Sequence, residues 1–232
     1  MTGATLIDRT LKRLDQDPAQ PVYFTRAEVL DALNEGQRIF AFLTLCLEGM
    51  ATFPLTAGVA FYSMLATYAD WLLPLRVVRA SDGEKVMPAS LVELDALDDA
   101  WTSATSPASH YGCLGFDLFF VRGTQGSVTI TYARMPAAIA DSAVSSAEIP
   151  DAYQPALIDY AISRVRLKQG GQEFSKTLPN LKRFLDAVAA CAKDVMARFA
   201  RADNDRKPFE LSGFNLKALM TVKLPKQQEA QP

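Results

Sequence analysis

The chain holds one histidine, His110, within Ser109-His110-Tyr111. Imidazole is the side chain best suited to moving protons near neutral pH, which makes His110 the first candidate for acid–base chemistry. Catalysis needs further polar groups converging on one point, and a lone histidine beside an aromatic residue in a loop does not supply them. The second candidate is the acidic set Glu93, Asp95, Asp98 and Asp99. On a helix Asp95, Asp98 and Asp99 lie near one face, where carboxylates can hold a hard cation. No Asn, Gly or further Glu completes the spacing of a calcium loop, so the set reads as a solvated acidic face and no metal is expected. Nucleophilic and phosphate chemistry lack their frameworks too. There is no GxSxG, no GxxxxGK(S/T) and no GxGxxG; Gly123-Thr124-Gln125-Gly126-Ser127 lacks the lysine and reads as a hairpin turn. The expectation is a protein without catalytic residues and without a cofactor.

Cys46, Cys113 and Cys191 are odd in number, far apart in sequence and set among apolar neighbours. They form neither a disulfide framework nor a CxxC zinc site, and read as small buried hydrophobes in a reducing compartment. With 232 residues, 49% of them hydrophobic, the chain can bury a real core in roughly one to two domains. A net charge of −2 with no visible cluster of Lys and Arg argues against a duplex-binding face. The N-terminus lacks an apolar signal-peptide core. From Gly49 to Ala69 no residue is charged, nearly enough to span a bilayer. Thr52, Pro54, Thr56, Gly58, Ser63 and Thr67 interrupt that stretch, which reads as short strands and turns and not as a membrane helix.

The elements that must position these residues follow from periodicity. A first helix is expected from about Thr5 to Gln16 on the stripe Leu6, Ile7, Leu11 and Leu14. A second starts at Thr25, whose capping box closes with Glu28 and whose Phe24 can staple onto Val29; it is expected to run to about Gly49. Gly36 inside it costs about 1 kcal/mol against Ala, which a close helix crossing would explain. Short strands are expected at Thr52–Thr56, Val59–Leu65, Leu72–Arg79 and Lys85–Pro88, with a hairpin turn at Ser81-Asp82-Gly83. Ser90 N-caps a short acidic helix reaching Trp101. Phe116–Arg122 and Ser127–Ala133 read as a β-hairpin around Gly123–Gly126, and Ala137–Ala147 as a loop. A third helix opens at Ile149-Pro150-Asp151 and stops at Gly170-Gly171, with Tyr153, Leu157, Tyr160, Ala161 and Val165 on its apolar face. In the fourth, Phe174, Leu178, Leu181, Leu185, Val188, Ala192, Val195 and Phe199 alternate steps of four and three, a seam for another helix; Pro179 marks a kink or a start near Leu178.

The fold class expected is α+β: a helical bundle formed by the N- and C-terminal helices (about 5–48 and 150–202) with an inserted small β-rich domain (about 50–136). Residues 1–203 make the folded region and 204–232 an extended C-terminal tail. In that tail Phe209, Leu211, Phe214, Leu216, Leu219, Met220, Val222 and Leu224 are apolar, with lysines between them. A disordered end would be poorer in such residues. The tail reads as an arm that orders on a partner protein, or as a strap on its own subunit.

The order of features resembles a known family. It consists of Tyr23-Phe24-Thr25-Arg26-Ala27-Glu28-Val29, then Leu55-Thr56-Ala57-Gly58 with Phe61-Tyr62, then Asp70 leading into Pro74-Leu75-Arg76-Val77. A short acidic helix into Trp101 follows, then Thr131-Tyr132-Ala133-Arg134-Met135-Pro136, and last Ile149-Pro150-Asp151-Ala152-Tyr153-Gln154-Pro155. Over about residues 5–200 this is similar to the head–tail adaptor, or connector, proteins of tailed bacteriophages. Pro155 stands where that family usually has an acidic or polar residue.

The resemblance implies a virion subunit in the neck, one of a ring of about twelve copies closed by heterologous contacts. It implies the portal protein and tail or nozzle proteins as partners, double-stranded DNA passing without sequence-specific binding, and no membrane. The arm from Phe209 to Leu224 would grip the portal. Alternatives are another virion part, such as a tail-completion or baseplate protein, and a small enzyme or ligand-binding module around His110, Asp98 and Asp99.

Overall fold

Thr2 opens the first helix, its hydroxyl accepting from the Thr5 amide at 3.3 Å. The helix, α1 (Gly3–Arg13), buries Leu6, Ile7 and Leu11 completely. The second, α2 (Arg26–Thr44), begins at the capping box: the Glu28 amide donates to the Thr25 hydroxyl at 3.2 Å and the Thr25 amide to the Glu28 carboxylate at 2.9 Å. Phe24 and Val29 are both buried in the core that this helix enters. α2 ends at Thr44, with Leu45 in the left-handed region at φ 51°, earlier than the expected end near Gly49. Glu48 and Gly49 already belong to a strand, paired with Ala133 and Tyr132. A Cβ on Gly49 would lie 2.7 Å from Cζ of Tyr132, so the bare glycine is what lets that ring close over the strand. This computed structural model describes residues 1–97, 101–102, 107–115, 117–121 and 126–202.

Seven strands and two short helices separate α2 from the later helices: β1 (Glu48–Leu55), β2 (Phe61–Ser63), α3 (Met64–Thr67), β3 (Trp71–Arg79), β4 (Met87–Pro88), α4 (Leu91–Leu97), β5 (His110–Leu114), β6 (Asp117–Val121) and β7 (Gly126–Arg134). The described residues are therefore α+β in class. One sheet has the order β1-β7-β3 and the other β2-β6-β5-β4. The turn expected at Ser81-Asp82-Gly83 is present, with the Gly83 amide donating to the Arg79 carbonyl at 2.9 Å and Val78 bridging Lys85. The expected β6–β7 hairpin does not form. β7 is paired on both edges, by β1 and β3, so no edge is left for β6. β6 pairs with β5 and β2 in the other sheet; β5, unassigned from sequence, supplies the hairpin partner. Of the turn expected at Gly123–Gly126, residues 123–125 lie outside the described residues.

Both outer strands of the β7 sheet carry proline, Pro54 in β1 and Pro74 in β3, and the β3 register shifts beside Pro74. Proline has no N–H to give a ladder, and such edges resist further strand pairing. Phe53, Leu55, Trp71, Val77, Leu118, Phe120, Val128, Ile130 and Tyr132 form one core. Leu94 of α4, Trp101 and Phe119 form a smaller one. The Ser90–Glu93 capping box starts α4 as expected. Among the described residues no helix is long and apolar enough to cross a membrane; the uncharged Gly49–Ala69 stretch holds β1, β2 and α3.

A 3-10 turn at Asp151–Tyr153 leads into α5 (Gln154–Arg166), with Pro155 in its first turn, where its missing N–H costs nothing. Gln154 and Asp159 are buried on α5 along with Leu157, Ile158, Ala161 and Ile162, so the helix is enclosed on more faces than its expected apolar stripe implies. α5 packs closely on α2 at Gly36, where a Cβ would stand 2.7 Å from Cδ1 of Tyr160. Gly36→Val is expected to lower unfolding free energy by about 1–3 kcal/mol through overpacking, measurable by urea denaturation.

The last helix, α6 (Gly171–Ala202), contains Pro179 within its length. Its buried row is Thr177, Phe184, Val188 and Cys191, with Leu181 and Val195 partly buried. The expected seam is right at Leu181, Val188 and Val195 but off by one position at its other row: Leu178 is 42% exposed while Phe184 is 1% exposed. The chain divides after Val195 into two units; of the second, Met196–Ala202 is described as the end of α6.

Candidate interaction site

Of the groups singled out for chemistry, His110, Glu93 and Asp95 are taken up by local structure. His110 begins β5, half-buried, with its Nδ1 3.1 Å from the Ser109 hydroxyl. Glu93 caps α4 through Ser90. Asp95 accepts a hydrogen bond from the Trp101 indole at 2.9 Å. Asp98 and Asp99 lie outside the described residues. Among the described residues no group of three His, Cys, Asp or Glu is placed to hold a metal.

The fold places two cysteines against one core. Cys191 on α6 is buried and Cys46, just after α2, is half-buried against the same core. Cys113 is exposed, against the expectation of three buried thiols; it lies on the side of β5 that carries the buried Tyr111, but at the strand's end, where Leu114 is exposed as well.

A charged groove runs between α2 and α5, lined by Phe24, Glu28, Asp31, Glu35, Arg164 and Lys168. Its charges are matched across it: Arg164 meets Glu35 at 2.9 Å and Lys168 meets Glu28 at 2.7 Å. Lys168 also stands 5.1 Å from the Tyr23 ring centroid. The Lys168 ammonium and the Thr25 amide hold the Glu28 carboxyl below the usual carboxylate range. Burial first, and then Glu35, pushes the Tyr160 phenol up to about 12.

Several polar residues that sequence reasoning passed over organise the structure. Asp159 on α5 accepts from Arg13 of α1 at 2.8 Å and Arg183 of α6 at 2.9 Å. Arg26 joins Asp8 and Asp141 across α1, α2 and the connector after β7, and its hydrogen bond holds the Asp141 carboxyl low. Gln154 donates to the carbonyls of Ala147 at 3.1 Å and Ile149 at 3.0 Å and to Asp151 at 2.8 Å. This gives the Ile149-Pro150-Asp151 segment a physical reason: its backbone and carboxylate are gathered by one buried amide. The signal was a glutamine in an otherwise apolar helix turn.

Large exposed apolar side chains are spread over several elements: Phe42 on α2, Met50 on β1, Phe61 on β2, Leu114 on β5 and Leu178 on α6. The family model described as SU10 adaptor protein matches residues 1–207. The chain belongs to the SU10 adaptor protein family. That family comprises phage head–tail adaptors, in line with the resemblance of the ordered motifs. No curated protein matches the chain. The adaptor match spans all the described residues and stops before Phe209, so Phe209, Leu211, Phe214, Leu216, Leu219, Met220, Val222 and Leu224 lie beyond both.

Proposed function

We propose that this adaptor protein is a structural subunit of a ring at the phage neck, docked under the portal, joining head to tail and extending the DNA channel. The family match over residues 1–207 carries this reading. The absorption of Glu93 and Asp95 into caps and packing supports a structural role and not a catalytic one. In this reading the helices from both ends of the chain act as a bundle that forms the ring wall, with about twelve copies closing by heterologous contacts. A net charge of −2 suits a lumen that must let DNA pass, since tight phosphate binding would impede it.

Residues 204–232 are the arm that grips the portal, through Phe209, Leu211, Phe214, Leu216, Leu219, Met220, Val222 and Leu224. An arm that orders on a neighbour gains contact area at an ordering cost met on binding. Native mass spectrometry of the full chain, alone and mixed with the cognate portal ring, tests the reading. A ring of adaptor subunits bound in stoichiometry with the portal is the expected result. A monomer that ignores the portal overturns it and points to another virion part. Deleting 204–232 is expected to leave a folded, soluble protein that no longer docks; an insoluble truncation would make the tail a strap on its own subunit.

A further inference from the structure

We infer that neighbouring copies of this chain meet through the outer face of α6 on one copy and the outer face of α2 on the next. In the ring reading above, on which this contact rests, these are the surfaces through which the copies close. The α6 seam repeats apolar residues in two rows. The chain's own core takes Val188 and part of Leu181, while Leu178 of the other row is 42% exposed and Leu185 only half-buried. Around that open row α6 carries Lys182, Asp186, Ala189 and Lys193, all exposed. At 3.6 residues per turn these positions fall on one stripe about 100° wide. On α2, Asp31, Glu35, Arg38 and Phe42 share a similar stripe, and the Phe42 ring is 53% exposed there.

Charge complementarity selects a second copy as the occupant. Among the described residues Asp31, Arg38, Asp186 and Lys193 form no ion pair, although Glu28 and Glu35 on either side of Asp31 are paired with Lys168 and Arg164. Asp31 precedes Arg38 by seven residues, and Asp186 precedes Lys193 by seven. Each carboxylate and its cation are therefore about 10.5 Å apart along their helix. Laid antiparallel, the two helices set Asp186 against Arg38 and Lys193 against Asp31 in a single register. Laid parallel, they set carboxylate against carboxylate and cation against cation. The antiparallel register also seats Phe42. That ring lies four residues beyond Arg38, and Lys182 four residues before Asp186, so Phe42 falls on the Lys182 stem between Leu178 and Leu185. Ala189, between the two charge pairs, is small enough to let the helices approach. The same spacing lets α6 pair with α6, or α2 with α2, in a two-fold dimer, but each such dimer leaves the other face open. The α2–α6 contact is heterologous, uses both faces of every copy and can close into a ring.

Two full-length variants test the contact. One carries Asp31→Lys with Arg38→Glu, the other Asp186→Lys with Lys193→Glu; circular dichroism checks that each is folded. Each is assembled on the cognate portal ring and analysed by native mass spectrometry at low ionic strength, where charge contacts are least screened. Either variant alone is expected to lose on the order of 100-fold in affinity between copies and to give no complete ring, because like charges then face each other. An equimolar mixture is expected to restore the ring with the two variants alternating, since each reversed face meets the other reversed face. Complete rings from the α6 variant alone would reveal two-fold α6 pairing, in which the reversal is self-complementary, and would overturn the α2–α6 contact. Loss of rings that the mixture does not restore would overturn it too. Wild-type rings that the reversals leave unchanged sink the contact and leave the ring reading standing; a wild-type chain that forms no ring sinks both. Should a double variant fail to fold, Asp31→Lys in one chain and Lys193→Glu in the other give the same alternation test.

Discussion

Phe184→Ala is expected to destabilise the protein by about 3–5 kcal/mol, while Leu178→Ala on the same helix costs about 1 kcal/mol or less. Phe184 is 1% exposed and stands where three helices meet: its ring centroid lies 6.0 Å from Phe40 of α2 and 4.9 Å from Tyr160 of α5. Removing the ring leaves a cavity lined by two other rings that are themselves held on rigid helices, so little of the space can collapse. Leu178, 42% exposed, loses only contacts on the part of its surface that is covered. Urea denaturation of both variants, with unchanged m-values to show that the denatured state is comparable, checks the pair. Equal losses, or a larger loss at Leu178, would mean that α6 packs through the row its leucines suggest and not through Phe184.

That contrast shows where the sequence was legible. Capping boxes are local, and both starts, Thr25–Glu28 and Ser90–Glu93, are where the spacing places them. Gly36 pointed to a close crossing, and Tyr160 provides it. The seam on α6 was half right because a heptad pattern gives the period but not the phase: Thr177, Phe184 and Cys191 form an equally regular row one position earlier. The β6–β7 hairpin failed for a different reason. Two adjacent β-rich segments joined by a glycine turn favour pairing locally, but β7 is claimed on both edges by β1 and β3, which are distant in sequence. Such competition is invisible to any local window. The motifs at Tyr23–Val29 and Ile149–Pro155 marked the family before their physical roles could be read, and the roles turned out to be capping and amide gathering.

The second large effect is expected at Gln37, a residue with no visible motif. It is 1% exposed, and its amide donates to the Ala137 carbonyl at 2.9 Å while accepting from the Glu148 amide at 2.9 Å. Three residues earlier, Asn34 donates to the Ile139 carbonyl at 3.0 Å and accepts from its amide at 2.7 Å. The two side chains thus give α2 a row of backbone partners for the irregular segment that carries the chain from β7 to α5. That segment has no ladder of its own, so these amides replace one. Gln37→Leu keeps the bulk but leaves a carbonyl and an N–H without partners, and a loss of about 2–4 kcal/mol is expected. Gln37→Glu separates shape from chemistry. The introduced carboxylate can accept from Glu148 but faces the Ala137 carbonyl with no proton to give. Folding then favours its protonated form and raises its folded-state pKa. Stability is therefore retained below the unfolded-state pKa of about 4.3 and lost as pH rises through the folded-state value. Thermal melting at acid and neutral pH reads this sign, and hydrogen exchange at the Glu148 amide reads the local opening. A Gln37→Glu variant as stable at neutral pH as at acid pH would show that the connector is held by its ion pairs, Arg26 with Asp141 and Arg134 with Glu148 at 2.8 Å, without need of the α2 amides.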